Sequence, residues 1–246
     1  MNNYKLTIQY DGGRYKGWQR LGSGEENTIQ GKIENVLSEF IGKKIEIVGC
    51  SRTDAGVHAL AQIANFKSSK NLNVYDMKDY LNKYLPRDIC VKEVISVPES
   101  FHAQYNAKGK TYLYKIWNEK YTNPFMRKYS MHIERKLNIP KMKKAAQSFI
   151  GEHDFTAFSN AKSKKKSMVR EIYSIDIEES AGFIQIRVRG NGFLHNMVRR
   201  IVGILIEVGL GDVMAEDTSR IIDSKERSEI SCIADECGLY LEKIEY

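Results

Sequence analysis

One run of ten residues concentrates the chemistry of this chain: Cys50-Ser51-Arg52-Thr53-Asp54-Ala55-Gly56-Val57-His58-Ala59. It holds a single carboxylate, Asp54, two residues after an arginine and two before a glycine. The apolar residues Ile45, Ile47 and Val48 upstream read as a strand running into a tight turn. A carboxylate on a strand-end loop beside a cation can be held ionised and aimed at a substrate. No second Asp or Glu lies close by, so paired-carboxylate chemistry has no support. The plain alternative is a turn aspartate that caps backbone N–H groups.

Four histidines, His58, His102, His153 and His195, invite an acid–base or metal role, but each reads as structural or as a contact to a binding partner. The four cysteines, at 50, 90, 232 and 237, show neither disulfide-scaffold nor zinc spacing. Free thiols in a reducing cytoplasm are the expectation, with no metal. There is no phosphate-cradling glycine loop and no dinucleotide fingerprint, so no cofactor is expected.

A length of 246 residues allows one large domain or two small ones. No apolar run approaches the roughly 20 residues that span a membrane, and the N-terminal residues lack the apolar stretch of a signal peptide. The expected location is cytoplasmic. The net charge is +7, unevenly spread: from Glu207 to Tyr246 eleven acids face four bases, net −7, which leaves +14 on residues 1–206. Such a body suits a polyanionic partner. The sharpest basic cluster is Lys162, Lys164, Lys165, Lys166 and Arg170, though a solvated loop would have the same composition.

The elements that must position these groups follow from periodicity. Tyr4, Leu6, Ile8 and Tyr10 alternate with polar residues and predict a half-buried strand. Asn27 with Gln30 makes a capping-box pattern before Ile29, Ile33, Val36, Leu37, Phe40 and Ile41 at helical spacing, with Gly42 as the stop. Strands follow at Ile45–Gly49, Ala61–Phe66 and Ile89–Val97, with a helix over Tyr75–Tyr84 between the last two. The second half repeats the order: a strand over Thr111–Trp117, a helix through Met142 and Ile150 ended by Gly151, paired strands Ile172–Ile177 and Phe183–Arg189 around Ala181-Gly182, and a long helix from Leu194 closed by Gly209. Strand–helix–strand–strand order in both halves predicts an α+β chain with two related antiparallel sheets. The halves are expected at 1–105 and 106–246, rigidly docked, because only 4 prolines occur and no Gly/Ser linker separates them.

The run Arg52 to Ala59 resembles the active-site signature of the TruA-type tRNA pseudouridine synthases. Other segments resemble the same family in the same order: Tyr10-Asp11-Gly12 with Gly17-Trp18-Gln19, Leu85-Pro86-Arg87-Asp88-Ile89, Phe101-His102-Ala103, Lys110-Thr111-Tyr112-Leu113-Tyr114, Gly151-Glu152-His153-Asp154-Phe155, Phe193-Leu194-His195-Asn196-Met197-Val198-Arg199, and Gly238-Leu239-Tyr240-Leu241. The resemblance covers nearly the whole chain. Two departures stand out. Ser51 occupies a position usually held by Gly, and Ala234-Asp235-Glu236-Cys237 stands where many members carry Ala-Pro-Pro.

The resemblance implies two ferredoxin-like (RRM-like) halves joined across a central active-site cleft, and a homodimer. It implies isomerisation of uridine to pseudouridine in the anticodon stem-loop of tRNA, at positions 38–40. Asp54 would be the catalytic carboxylate. Arg199 would pair with it and hold it in its charged form. Tyr112 would lie against the target base. Arg52 is assigned to the substrate backbone or the flipped nucleotide. The expected RNA contacts are Arg14, Lys16, the lysines at 162 and 164–166, Arg170, Arg187 and Arg189. Ile184, Ile186 and Val188 would face a core and leave Arg187 and Arg189 on the opposite face.

Two other classes remain open at this point. A catalytically silent RNA-binding protein would keep its cellular function in Asp54→Asn. An enzyme using Cys50 as nucleophile with His58 would be inactivated by thiol alkylation and would need a thiolate of lowered pKa.

Overall fold

A computed structural model describes residues 1–20, 27–160 and 167–246. It divides into two units, Met1–Lys108 with Tyr240–Tyr246, and Gly109–Leu239.

The first unit runs β1 (Asn2–Tyr10), α1 (Ile29–Ile41), β2 (Val48–Gly49), β3 (His58–Ser68), α2 (Val74–Tyr84) and β4 (Ile89–Val97). β1 is central, antiparallel to both β3 and β4. Its alternation is the predicted one: Tyr4, Leu6 and Ile8 are fully buried, and Tyr10 nearly so. α1 is capped one residue later than the sequence pattern implies. Thr28, not Asn27, accepts from the Gly31 N–H at 3.2 Å. Asn27 instead donates to the Arg14 carbonyl, and Gln30 reaches Glu34 and the Ile47 carbonyl. Gly42 ends the helix in the left-handed region, as expected.

The predicted strand at Ile45–Gly49 shortens to two residues. Its first amides are taken by helix side chains. Ile45 N–H donates to Ser38 Oγ and Ile47 N–H to the buried Glu34 carboxylate, both at 2.9 Å. These two donors are satisfied by α1 rather than by a neighbouring strand.

The second unit runs β5 (Gly109–Trp117), β6 (Met131–His132), α3 (Ile139–Gln147), β7 (Gly151–Asp154), β8 (Val169–Ser180), β9 (Phe183–Gly190), α4 (Met197–Leu210) and α5 (Asp217–Ser224), then short 3-10 turns at Arg227–Glu229 and Glu236–Gly238. Its strands order β5-β9-β8-β7 and are antiparallel throughout, while β6 adds in parallel to β5. Ala181 and Gly182 both have positive φ, which makes the tight turn of the β8–β9 hairpin.

Two helix ends differ from expectation. α3 stops at Gln147, where Ser148, Phe149 and Ile150 tighten into i→i−3 bonds; Gly151 opens β7 rather than merely ending a helix. α4 runs through Gly209 to a cap at Gly211. Glycine at 209 lets α4 pack closely here: a Cβ would meet Met142 Sδ at 2.9 Å and Leu137 Cδ2 at 3.0 Å.

β10 (Leu239–Glu245) closes the chain. It lies parallel to β3, pairing Tyr240 with His58 and Leu241 with Ala59. The protein is thus α+β, built on mostly antiparallel sheet. Among the described residues no helix is long and apolar enough to cross a membrane.

Candidate active site

The Asp54 loop leaves β2 and enters β3, and its backbone is held from several sides. Gln62, on β3 and fully buried, turns its amide on Ser51: the Ser51 N–H donates to Oε1 at 3.3 Å and Nε2 donates to the Ser51 carbonyl at 2.6 Å. Cys50 N–H donates to the Ile63 carbonyl at 2.7 Å. The Thr53 carbonyl accepts from the Trp18 N–H at 3.0 Å, and the Thr53 and Tyr10 hydroxyls lie 2.7 Å apart. Val57 N–H closes the turn onto the Asp54 carbonyl at 3.2 Å. Asp54 is half-buried, between exposed Arg52 and exposed Ala55. The arrangement presents one carboxylate on a backbone whose neighbours on both sides are fixed.

The segment after β1 packs directly on this loop, and glycine makes that possible. A Cβ at Gly12 would lie 1.9 Å from the Val57 carbonyl oxygen. Gly17 has φ +92 and would meet the Thr53 oxygen at 2.5 Å. This is the physical reason for Gly12 and Gly17 on either side of the turn. Ser51 does not have positive φ, so serine carries no backbone penalty at this position.

Around this core the other motif residues bond and pack within the first unit. His58 is buried, stacked on Tyr240 with ring centroids 4.8 Å apart. Its Nδ1 lies 3.1 Å from both the Gly12 N–H and the Asp11 carboxylate. It accepts from the first as a neutral ring, or donates to the second when that nitrogen carries the proton. Asp88 accepts from the Tyr15 hydroxyl and from Arg14 Nε at 2.9 Å. Burial raises the Asp88 pKa, but the hydrogen bonds from Tyr15 and Arg14 outweigh it, and the net displacement is downward. Burial and then the Asp88 hydrogen bond push the Tyr15 phenol up, so Tyr15 stays a donor. Ala103 N–H donates to buried Asn65 Oδ1 at 2.9 Å, and His102 Nδ1 faces the N–H groups of Gln104 and Tyr105. Cys50 is buried against Ile63 and Ala103, with Phe101 and Tyr246 packed on that cluster. A thiol so enclosed is poorly suited to nucleophilic work.

In the second unit, Tyr112 lies on β5 and is nearly buried, with its ring edge-on to Phe193 at 5.2 Å. Tyr114, two residues on, is wholly buried; its hydroxyl donates to the Asp235 carbonyl at 2.7 Å, and burial raises its pKa well above the usual value. Arg199 stands in the first turn of α4. Its Nε donates to the Ala234 carbonyl at 2.6 Å, and it pairs with Glu236 at 3.1 Å. The acidic departure at 234–237 therefore helps to hold this guanidinium. Asp154 is a local cap: hydrogen bonds from Thr156, then Lys225, draw its pKa down.

The expected RNA-contact residues fall in varied settings. Arg14 is largely exposed but engaged by Asp88, and Lys16 is exposed. Arg170 donates to the Ser167 and Val169 carbonyls at 3.1 and 2.6 Å, and burial lowers its pKa. Arg187 pairs with Glu178 at 2.9 Å, and Arg189 lies 4.8 Å above the Tyr173 ring. Both lie on the face of β9 opposite buried Ile184, Ile186 and Val188. Lys162, Lys164, Lys165 and Lys166 lie outside the described residues. Among the described residues no group of His, Cys, Asp and Glu is arranged to hold a metal ion.

Sequence reasoning missed Gln62, Thr53, Tyr10 and Glu236 as supports. Gln62 left one signal, a polar residue in an otherwise apolar stretch of β3.

The class the fold defines is α+β, with one half-buried carboxylate on a braced strand-end loop. Comparison with known proteins narrows the class. The model of the tRNA pseudouridine synthase family matches residues 6–106 and 145–246. The chain is 66% identical to tRNA pseudouridine synthase A 2 of Bacillus anthracis across 100% of both chains. It is 67% identical to tRNA pseudouridine synthase A of Bacillus sp. (strain KSM-64) and 47% identical to tRNA pseudouridine synthase A 1 of Clostridium tetani, again over 100% of both chains. The chain belongs to the tRNA pseudouridine synthase family, isomerases that form pseudouridine in tRNA.

Proposed function

We propose that this protein isomerises uridine to pseudouridine in the anticodon stem-loop of tRNA, at positions 38–40, with Asp54 as the catalytic carboxylate. The observation that carries the reading is the half-buried Asp54 on a loop braced by Gln62, Trp18 and Tyr10. The reaction breaks the bond between ribose C1′ and uracil N1, turns the base and joins C1′ to C5. The proton on C5 is lost and N1 gains one, so no redox change or net hydrolysis occurs. One ionised carboxylate serves either as nucleophile or as stabiliser of a cationic sugar.

Tyr112 is the aromatic partner of the target base, Arg199 the cation that keeps Asp54 charged, and Arg52 a contact to the substrate backbone or the flipped nucleotide. Exposed Lys16, half-buried Arg187 and Arg189, Arg14, Arg170 and the lysines at 164 and 165 meet tRNA phosphates, so affinity falls with salt. The working form is a cytoplasmic homodimer. Each unit is a ferredoxin-like half. In support, the first runs β-α-β-β-α-β with β1 between β3 and β4.

The test is pseudouridine mapping of unmodified tRNA transcripts incubated with wild-type protein and with Asp54→Asn, no cofactor added. Conversion at anticodon-stem uridines by wild type alone is the expected result. No conversion by either, with salt-sensitive tRNA binding kept by both, would leave an RNA-binding protein instead. Conversion elsewhere in the tRNA would overturn the site assignment.

A further inference from the structure

A cavity of about 250 Å³ opens in the second unit. Trp117 and Met131 give it apolar lining; Asn123, Arg127, His132 and Asp235 give it polar groups. It lies at the far end of β5 from Tyr112, five residues or about 17 Å along the strand.

The loop between β5 and β6 forms much of this cavity and is internally tied. Trp117 Nε1 donates to the Tyr121 carbonyl at 2.7 Å, Asn123 Oδ1 accepts from Phe125 N–H at 3.1 Å, and Ser130 Oγ donates to the Met126 carbonyl at 3.1 Å. Yet it presents two large rings to solvent: Tyr121 is 74% exposed and Phe125 86%. Lys120 sits 5.4 Å from the Tyr121 ring centroid, Arg127 and Lys128 follow, and no acid interrupts residues 120–130. Outward aromatics interleaved with cations are the composition of a surface that stacks unpaired bases and tracks their phosphates.

Asp235 belongs to the same lining. Its backbone is anchored by the Tyr114 hydroxyl. Its exposed side chain makes no hydrogen bond or ion pair with any described residue. An ionised carboxylate only accepts hydrogen bonds, through two oxygens side by side. Among the four RNA bases, guanine alone offers two adjacent N–H donors on its Watson–Crick edge, N1–H and the N2 amino group. Adenine and cytosine offer one amino group there, and uracil one N–H.

We propose that this cavity takes a guanine base from a single-stranded stretch of RNA, with Asp235 accepting from N1–H and N2–H and with Tyr121 and Phe125 stacking on neighbouring bases. The proposal deepens the tRNA reading and rests on it for its source of guanine. A guanine captured here, away from Tyr112, would select among tRNAs by loop sequence rather than take part in the chemistry.

Fluorescence anisotropy of the full-length protein tests it, with a labelled hexaribonucleotide carrying one guanosine among uridines and the same hexamer carrying inosine. Inosine keeps N1–H and loses the N2 amino group. Wild type is expected to bind the inosine hexamer about tenfold more weakly, as for one lost hydrogen bond to a charged group. Asp235→Asn is expected to erase the difference, and Phe125→Ala to weaken both hexamers by about fivefold or more. Equal binding of the two hexamers by wild type overturns the proposal without recourse to any variant. So does discrimination that survives in Asp235→Asn. Pseudouridine formation on a tRNA transcript, followed in parallel, separates the two readings. Turnover without guanine discrimination removes the cavity proposal alone; discrimination without turnover removes the catalytic reading and leaves the cavity standing.

Discussion

The hydroxyls of Tyr10 and Thr53 meet 2.7 Å apart, buried, and tie the last residue of β1 to the residue before Asp54. The Trp18 N–H reaches the Thr53 carbonyl from the same segment. Two stretches more than thirty residues apart thus form one rigid support for a single carboxylate. An active group displaced by a fraction of an ångström loses much of its rate advantage, so this support is where remote changes should be felt.

Gly17 is the sharpest case. Gly17→Ala puts a Cβ 2.5 Å from the Thr53 oxygen at a residue with φ +92. It is expected to cost about 1–3 kcal/mol of stability and to lower pseudouridine formation more than tRNA affinity. Gly42→Ala is the control: φ is also positive, at +75, but nothing lies within 4 Å of the added carbon. It should cost about 1 kcal/mol and leave turnover unchanged. Thermal melts and single-turnover rates on a tRNA transcript check both.

Gln62→Leu keeps the volume of a buried side chain and removes its amide. The Ser51 N–H and carbonyl then lose their partners. A loss of about 1–3 kcal/mol is expected from buried groups left unpaired. The Asp54 loop loosens, so kcat falls while KM for tRNA stays near wild type. A variant whose kcat equals wild type would show that the loop does not need this brace.

The Asp88 clamp sets an acid limit. The Asp88 pKa is displaced downward in the folded protein, below an unfolded value of about 3.9. Such a carboxyl contributes stability in full above that value and loses it as pH falls through the folded pKa. Wild type should therefore be more stable than Asp88→Asn at neutral pH, by about 1–2 kcal/mol for the charge-assisted bond from Tyr15. The two Tm–pH curves should converge below about pH 4. Parallel curves across that window would contradict the assignment.

Arg199→Ala removes the donors to the Ala234 carbonyl and Glu236. If this arginine keeps the catalytic carboxylate charged, turnover should fall about a hundredfold or more, while tRNA affinity at fixed salt stays nearly unchanged. A matching loss of affinity with little change in single-turnover rate would make it a phosphate contact instead. Rates and filter binding measured on the same transcript decide between them.

The sequence alone determined the local elements wherever apolar period and turn chemistry agree. β1, α2, β4 and the β8–β9 hairpin stand close to where alternation, helical spacing and Ala181-Gly182 put them. The local pattern between Arg52 and Gly56 drew attention to Asp54 but left a plain turn aspartate open, and only the family resemblance assigned it a role. Residues whose partners lie far along the chain were not legible. Ile45 and Ile47 look like strand residues until Ser38 and Glu34 take their amides. Gln62 looks like an ordinary strand glutamine until it faces Ser51. The return of residues 240–246 to the first unit, with Tyr240 against His58, has no local signature either. Periodicity reports which face of an element meets a core. Only the folded chain decides which polar group satisfies which, because a hydrogen bond depends on positions in space and not on separation in sequence.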